Sequence, residues 1–181
     1  NCGSLKLSDP FNNINFIGDE AFSYCRSIST IEINSDITSL PIFCFSNCTS
    51  LNSIEFPNNL EIINNFAFLH CSSLKQIQLP NTLTTLGDDA FSYCTSLTNL
   101  TIPETVRNIG KDILYSCDSL ISISLPTLTN SKGEDVTLGY FFQNSIEESL
   151  LEIHLLDSCN RIGDRALRNL KNVTTITFTN S

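Results

Sequence analysis

The chain has 181 residues, 41% hydrophobic and only 16% charged, which supplies a sizeable core and excludes global disorder. Its formal charge is −9 and its pI is near 4.5. That balance argues against nucleic acid and anionic membrane surfaces as partners, because both attract basic patches.

Taken from the amino end, the chain is periodic. Cys2, Cys25, Cys48, Cys71, Cys94 and Cys117 stand 23 residues apart. Ala21, Cys44, Ala67, Ala90 and Ile113 keep the same period, as do Phe22, Phe45, Phe68, Phe91 and Leu114. Ile28, Leu51, Leu74, Leu97 and Leu120 follow each cysteine. Next come Ile31, Ile54, Ile77, Leu100 and Ile123, then Ile33, Phe56, Leu79, Ile102 and Leu125, with Pro57, Pro80, Pro103 and Pro126 closing four units. Several columns at one fixed period mark a stacked array of coils. The chain opens part-way through a unit, without an initiating Met or signal peptide, as a mature product or an excised fragment would. No apolar run reaches the roughly 18–20 residues that span a bilayer, so this segment is not expected to insert directly into a membrane.

Within a unit, Ile54 and Phe56 flank Glu55, a period-two alternation that predicts a short strand with Glu55 outward. The proline after Phe56 lacks a backbone donor and ends that strand. Leu60, Ile63, Ala67, Cys71 and Leu74 have spacings of three and four, which predict a brief helical or 3₁₀ turn on the opposite side. Gly18-Asp19, Gly87-Asp88 and Gly163-Asp164 precede this segment, where an Asp can cap the free amides of the turn. One unit is one coil, and stacking about seven coils at a strand spacing of about 4.8 Å gives a spine of roughly 30–35 Å. The Phe column is then an aromatic stack along the interior.

The register breaks once, through Thr129–Val136, and Ser145 takes the place of a cysteine. The pattern resumes at Leu150, Ile153 and Leu155 and again from Ile162 through Val173, Ile176 and Phe178. Residues 1–181 are thus one solenoid domain with an insertion near 129–136, whose two ends expose core edges for neighbouring sequence or a partner to cover.

The pattern Ala-Phe-x-x-Cys-x-Ser-Leu-x-x-Ile-x-Leu-Pro-x-x-Leu-x-x-Ile-Gly resembles the BspA-like leucine-rich repeat over essentially the whole chain. The resemblance implies an α/β repeat solenoid: a right-handed coil with a parallel concave β-sheet and short 3₁₀/helical turns or short strands on the convex side. It also implies a surface or adhesion protein of a protist or host-associated bacterium, a non-catalytic binder of another protein or of a host or matrix macromolecule. The family pattern fixes no ligand-binding residue.

Candidate chemistry was weighed residue by residue. In-register cysteines have Cα atoms about 5 Å apart, within the disulfide window, but their parallel side chains leave the Cβ atoms too far apart. With no Cys-x-x-Cys pair and no histidine at ligand spacing, buried thiols acting as small hydrophobes are expected, and neither metal nor cofactor. His70 on the turn side and His154 on a distant strand share no site, and the pair Asp88–Asp89 sits where a cap is wanted. No catalytic motif is present, and no enzyme is expected.

The outward strand positions are the binding candidates. One column holds Glu32, Glu55, Gln78, Thr101, Ser124, His154 and Thr177; the other holds Thr30, Ser53, Gln76, Asn99, Ser122, Glu152 and Thr175. A solvated sheet face and a polar recognition surface both fit these residues, which include no aromatic hot spot. Tyr140, Phe141 and Phe142 beside the insertion form a second candidate patch, with the two phenylalanines on core columns. Asn47, Asn99 and Asn172 open glycosylation sequons, relevant only in a eukaryotic secretory route. The expectation is a protein-binding or adhesion module at the cell surface or secreted. The alternative is a cytoplasmic, cytoskeleton-associated scaffold built on the same solenoid.

Overall fold

The computed structural model describes residues 14–33, 35–127, 149–157, 159 and 170–178. These residues form a parallel β-solenoid. The longer strands are β1 (Thr30–Glu32), β3 (Ser53–Glu55), β6 (Asn99–Thr101), β8 (Ser122–Leu125), β9 (Glu152–Leu155) and β10 (Thr175–Phe178). Four two-residue strands lie on a second ladder: β2 (Ser39–Leu40), β4 (Ile62–Ile63), β5 (Thr85–Leu86) and β7 (Asn108–Ile109). Every pairing is parallel and in register, Ile31 beside Ile54 and Leu100 beside Ile123, Ile153 and Ile176 in turn. The expected strands form because an apolar residue between two polar ones buries one side and wets the other; Ile54 is buried between exposed Ser53 and Glu55.

Of the alternatives expected for the turn side, helical or 3₁₀ turns or short strands, the short strands are found. Among the described residues no helix occurs, and the turn side consists of the two-residue strands followed by tight turns. The hydrogen bonds give the reason. In the coil from Asn64 to Cys71, alternate amides bond along the solenoid axis: Phe66 N–H to Asp88 O (2.9 Å), Phe68 N–H to Ala90 O (2.9 Å) and His70 N–H to Ser92 O (2.9 Å). The amides between them close three-residue turns within the coil, Ala67 to Asn64 O and Leu69 to Phe66 O. A helix would direct every amide along its own axis. Here half of them serve the next coil, and each coil therefore passes through the left-handed region twice. Phe66 (φ 61°) and His70 (φ 60°) do so, as do Phe43 and Asn47 one coil earlier and Asp89 and Tyr93 one coil later. That conformation costs roughly 1–2 kcal/mol for a non-glycine residue, and the axial bonds hold it.

The predicted caps act differently from expectation. Asp19 accepts from Ile42 N–H (3.2 Å), Asn65 from Asp88 N–H (2.9 Å) and Asp88 from Lys111 N–H (3.0 Å). Each side chain satisfies an amide 23 residues on, in the next coil, so the cap is axial. Asp164, the insertion, Ser145 and Tyr140–Phe142 lie outside the described residues.

One continuous core runs from Ile17 to Leu155. Phe22, Phe45, Phe68 and Phe91 stack along it, successive centroids 5.2, 5.4 and 5.4 Å apart with nearly parallel rings. Ile176 and Phe178 are 44% and 64% exposed on β10, which pairs only with β9 among the described residues. The described cysteines are free thiols, and six of the seven are buried in the core as small hydrophobes; four of these also make a hydrogen bond. The Sγ of Cys48, Cys71, Cys94 and Cys117 donates to the carbonyl of Phe22, Phe45, Phe68 and Phe91 respectively, at 3.1–3.3 Å. The carbonyls of Phe22, Phe45, Phe68 and Phe91 also accept the amide of the cysteine three residues on, within their own coils, so both lone pairs are engaged. Alanine at these sites would fill less space and tie nothing to the neighbouring coil.

Glycine is required where coils approach most closely. A Cβ on Gly110 would meet Asp88 N at 2.3 Å and Gly87 C at 2.4 Å, both rigid backbone. Gly110→Ala should therefore destabilise by about 1–3 kcal/mol or more, as overpacking does, read as a lowered urea midpoint; an unchanged midpoint would show that the coils can slide apart. Burial also pushes the Cys94 thiol well above its ordinary range, aided by Cys71 and Cys117, and pushes Cys117 up to about 12. An unfolded thiol releases its proton near 9, so the unfolded state holds fewer protons than the folded one above that pH. Stability is therefore intact below pH 9 and falls as pH rises from 9 towards 12, by about 1.4 kcal/mol per pH unit for each such thiol. Urea titrations of wild type and Cys117→Ala above pH 9 should show the shallower loss in the variant.

Candidate binding face

The parallel ladder places the two outward columns in straight rows. Thr30 lies beside Ser53 and Glu32 beside Glu55. Farther along, Asn99, Ser122, Glu152 and Thr175 form one row, and Thr101, Ser124, His154 and Thr177 the other. Thr30, Glu32, Ser53, Glu55, Gln76, Gln78, Asn99 and Thr101 are exposed, whereas Ser122, Ser124, Glu152 and His154 are half-buried. The rows change character along the axis. Glu32 and Glu55 are like charges in direct register, which disfavour the bare face and favour a partner that separates or hydrates them. The far half carries hydroxyls around one imidazole.

His154 is held from both sides. Its Nε2 lies 3.4 Å from Glu152 Oε2 and its Nδ1 lies 2.6 Å from Thr177 Oγ1. Both ring nitrogens therefore face a side chain, Nε2 the Glu152 carboxylate and Nδ1 the Thr177 hydroxyl. The trio matches a hydroxyl–base–acid order. It sits on a sheet whose ladder amides, among the described residues, lie in the plane of the sheet and are directed at neighbouring strands. The two contacts fix the orientation of the imidazole on the strand face. His70 stands apart on the turn side, stacked on Tyr93 at 4.3 Å. The carboxylates of Asp88 and Asp89 are engaged by Lys111 N–H and by the Ser92 hydroxyl (2.8 Å).

The outer strand face is not one sheet. It splits into β1–β3 and β6–β8–β9–β10, and Gln76–Gln78 between them join neither. Ile33 N–H reaches Glu55 O (2.9 Å) and Ile102 N–H reaches Ser124 O (3.0 Å), but the equivalent bonds from Phe56 to Gln78 O and from Leu79 to Thr101 O are not made. At the split lies a groove of about 620 Å³ between Ile54–Asn58 and Gln78–Thr82. Glu55 and Gln78 were expected on the face; Asn58, Asn81 and Thr82 were not, because the groove exists only where the ladder is interrupted. An aromatic row on the turn side was also missed: Phe43 stacks on Phe66 (4.6 Å), and Tyr93 meets Tyr115 edge-on (5.4 Å). Its signal was in the sequence, as Phe43 and Phe66 five residues before a cysteine and Tyr93 and Tyr115 one and two residues before one.

Of the sequon residues, Asn47 sits half-buried in a turn with its Nδ2 on Ser46 Oγ (2.8 Å), whereas Asn99 and Asn172 are exposed. A glycan on Asn99 would occupy the strand face. Burial keeps the Cys44, Cys71, Cys94 and Cys117 thiols protonated, which disfavours these four as metal ligands or nucleophiles in the folded chain. No helix among the described residues is long and apolar enough to cross a membrane.

No curated protein matches the sequence. Among solved structures, the chain is similar to a leucine-rich repeat protein of T. pallidum at 28% identity and TM-score 0.67, covering 88% of this chain and 77% of that one. It is similar to a leucine-rich repeat protein from Bacteroides ovatus at 28% identity and TM-score 0.69, covering 90% of this chain and 40% of that one. The pneumococcal vaccine antigen PcpA shares the fold at 22% identity and TM-score 0.63, covering 87% of this chain and 43% of that one. This chain thus spans less than half of the latter two. The model of the BspA type leucine-rich repeat region matches in 6 copies over residues 15–147 and 135–181, and the chain belongs to that family.

Proposed function

We propose that the chain is a non-catalytic binding module of a cell-surface protein, and that its outer strand face engages another protein or a matrix macromolecule. The observation that carries this reading is the pair of polar rows in register on a face that the fold does not use. Leucine-rich repeats are generally protein-interaction modules, and the family is shown here by the matched repeats. The core, the axial bonds and the caps all draw on other residues, so Glu55, Gln78, Thr101, Ser124 and their neighbours are free to be read by a partner. Oriented, half-buried groups such as His154 lose less conformational entropy on binding than mobile ones, so the far half of the face can add to a contact centred on Glu55, Gln78 and Thr101. The free thiols do not support a cytoplasmic scaffold over a surface protein. Cys48, Cys71, Cys94 and Cys117 are sealed in the core and hydrogen-bonded to carbonyls, an arrangement that suits either compartment.

The test replaces Glu55, Gln78 and Thr101 together by alanine and measures binding of the labelled chain to epithelial cells and immobilised matrix proteins. Binding should weaken by about tenfold or more with the thermal midpoint unchanged, since surface substitutions alter stability by only about ±0.5 kcal/mol. Unaltered binding by the folded triple variant would remove the strand face from the interaction.

A further inference from the structure

We infer that the groove at the split of the strand face is a binding site for a neutral saccharide. The inference rests on the strand-face reading and names the ligand class of one part of it. Three observations lead there. The first is the set of unmet backbone groups. Phe56 N–H and Gln78 O, which face each other across the gap, lack the ladder bond that Ile33 N–H makes to Glu55 O and Ile102 N–H makes to Ser124 O. Such groups call for a partner, and a small polyol can supply both donors and acceptors at this spacing. The second is the lining. Glu55, Gln78, Asn58 and Asn81 are exposed and make no hydrogen bond with their side chains, and Thr82 Oγ1 donates to Leu60 O (2.8 Å) while keeping its acceptor capacity. A carboxylate accepts from two adjacent hydroxyls, and each amide both donates and accepts, so together they match the alternating groups of vicinal diols. Phe56, Leu79 and Pro80 add an apolar wall for the C–H face of a sugar ring. The third is charge. Glu55 is the one ionisable residue in the lining, no Lys or Arg accompanies it, and the chain carries −9 overall. Anionic sugars are repelled, and a cationic peptide would find one carboxylate among amides. The volume, about 620 Å³, is of the size of small-molecule sites.

The groove has a structural cause in one residue. Phe56 is the aromatic between Ile33 and Leu79 in a column that continues through Ile102, Leu125, Leu155 and Phe178. Its ring packs edge-on against Phe68, with centroids 6.0 Å apart, and a side chain larger than Ile or Leu at this position would hold the next coil off β3.

The experiment follows from that cause. Saturation-transfer NMR with lactose, maltose and chitobiose as neutral probes, sialyllactose as the anionic probe and a Lys/Arg-rich decapeptide should show saturable binding of at least one neutral disaccharide only. Glu55→Gln with Asn81→Ala should weaken it by about tenfold, the loss expected when hydrogen bonds to a charged and an amide group disappear. Phe56→Leu should close the ladder, protect the residue-56 and Gln78 amides from hydrogen exchange and abolish binding; should it fail to fold, the double variant decides alone. The inference is overturned if no neutral disaccharide saturates, if binding survives the double variant, or if only the peptide binds. Those outcomes leave the strand-face reading standing, because that reading falls only if the alanine triple variant keeps its macromolecular partner.

Discussion

The structure depends on a hydrogen bond that points the same way in every coil, from a turn amide to a carbonyl 22 residues on. Phe22 to Cys44, Phe45 to Ala67, Phe68 to Ala90 and Phe91 to Ile113 are successive rungs of it. The bond forces alternate residues of the turn to direct their amides along the axis. That requirement accounts for the left-handed residues, for the replacement of a helix by tight turns, and for glycine at the closest approach of Gly110 to Asp88. It also accounts for the cysteines. Once a Phe carbonyl is engaged by an amide within its own coil, its second lone pair faces the next coil, and a thiol there reaches it. Four kinds of residue that look unrelated in the sequence therefore answer to one geometric rule.

Because each coil touches only its neighbours, stability is a chain of interface terms rather than a single packed unit. The phenylalanine stack and the thiol ties act at the same interfaces, so a substitution in one coil is felt by two. The strand face carries a weaker version of the same coupling. It can be interrupted at Gln76–Gln78 without breaking the solenoid, since the turn-side rungs and the β4–β5 pairing continue past the gap.

Much of this was legible in the sequence. A column that repeats every 23 residues is read directly as a stacked position, so the coils, the inward Ile and Leu and the outward polar rows followed from spacing alone. Spacing alone misread the turn side, because intervals of three and four fit both a helical turn and a chain of three-residue turns. The choice between them is made by bonds to the next coil, which Phe66 and His70 do not advertise. The Asp caps failed for the same reason, their partners being one coil away rather than in the same turn. The groove escaped because it is an absence of pairing. Phe56 read as one more apolar member of its column, and only its volume relative to Leu79 distinguishes it.

That last point bears on where function resides in a repeat protein. Residues that obey the repeat are committed to neighbours above and below, and Phe91 and Cys94 can do little else. Specificity must come from outward positions, which the fold leaves free, and from members of a column that depart from it. Glu55 and Gln78 belong to the first class and Phe56 to the second, and they meet at one place on the face. A coil-to-coil mismatch that would be a small defect in a globular core becomes, in a solenoid, a local opening that the remaining rungs tolerate.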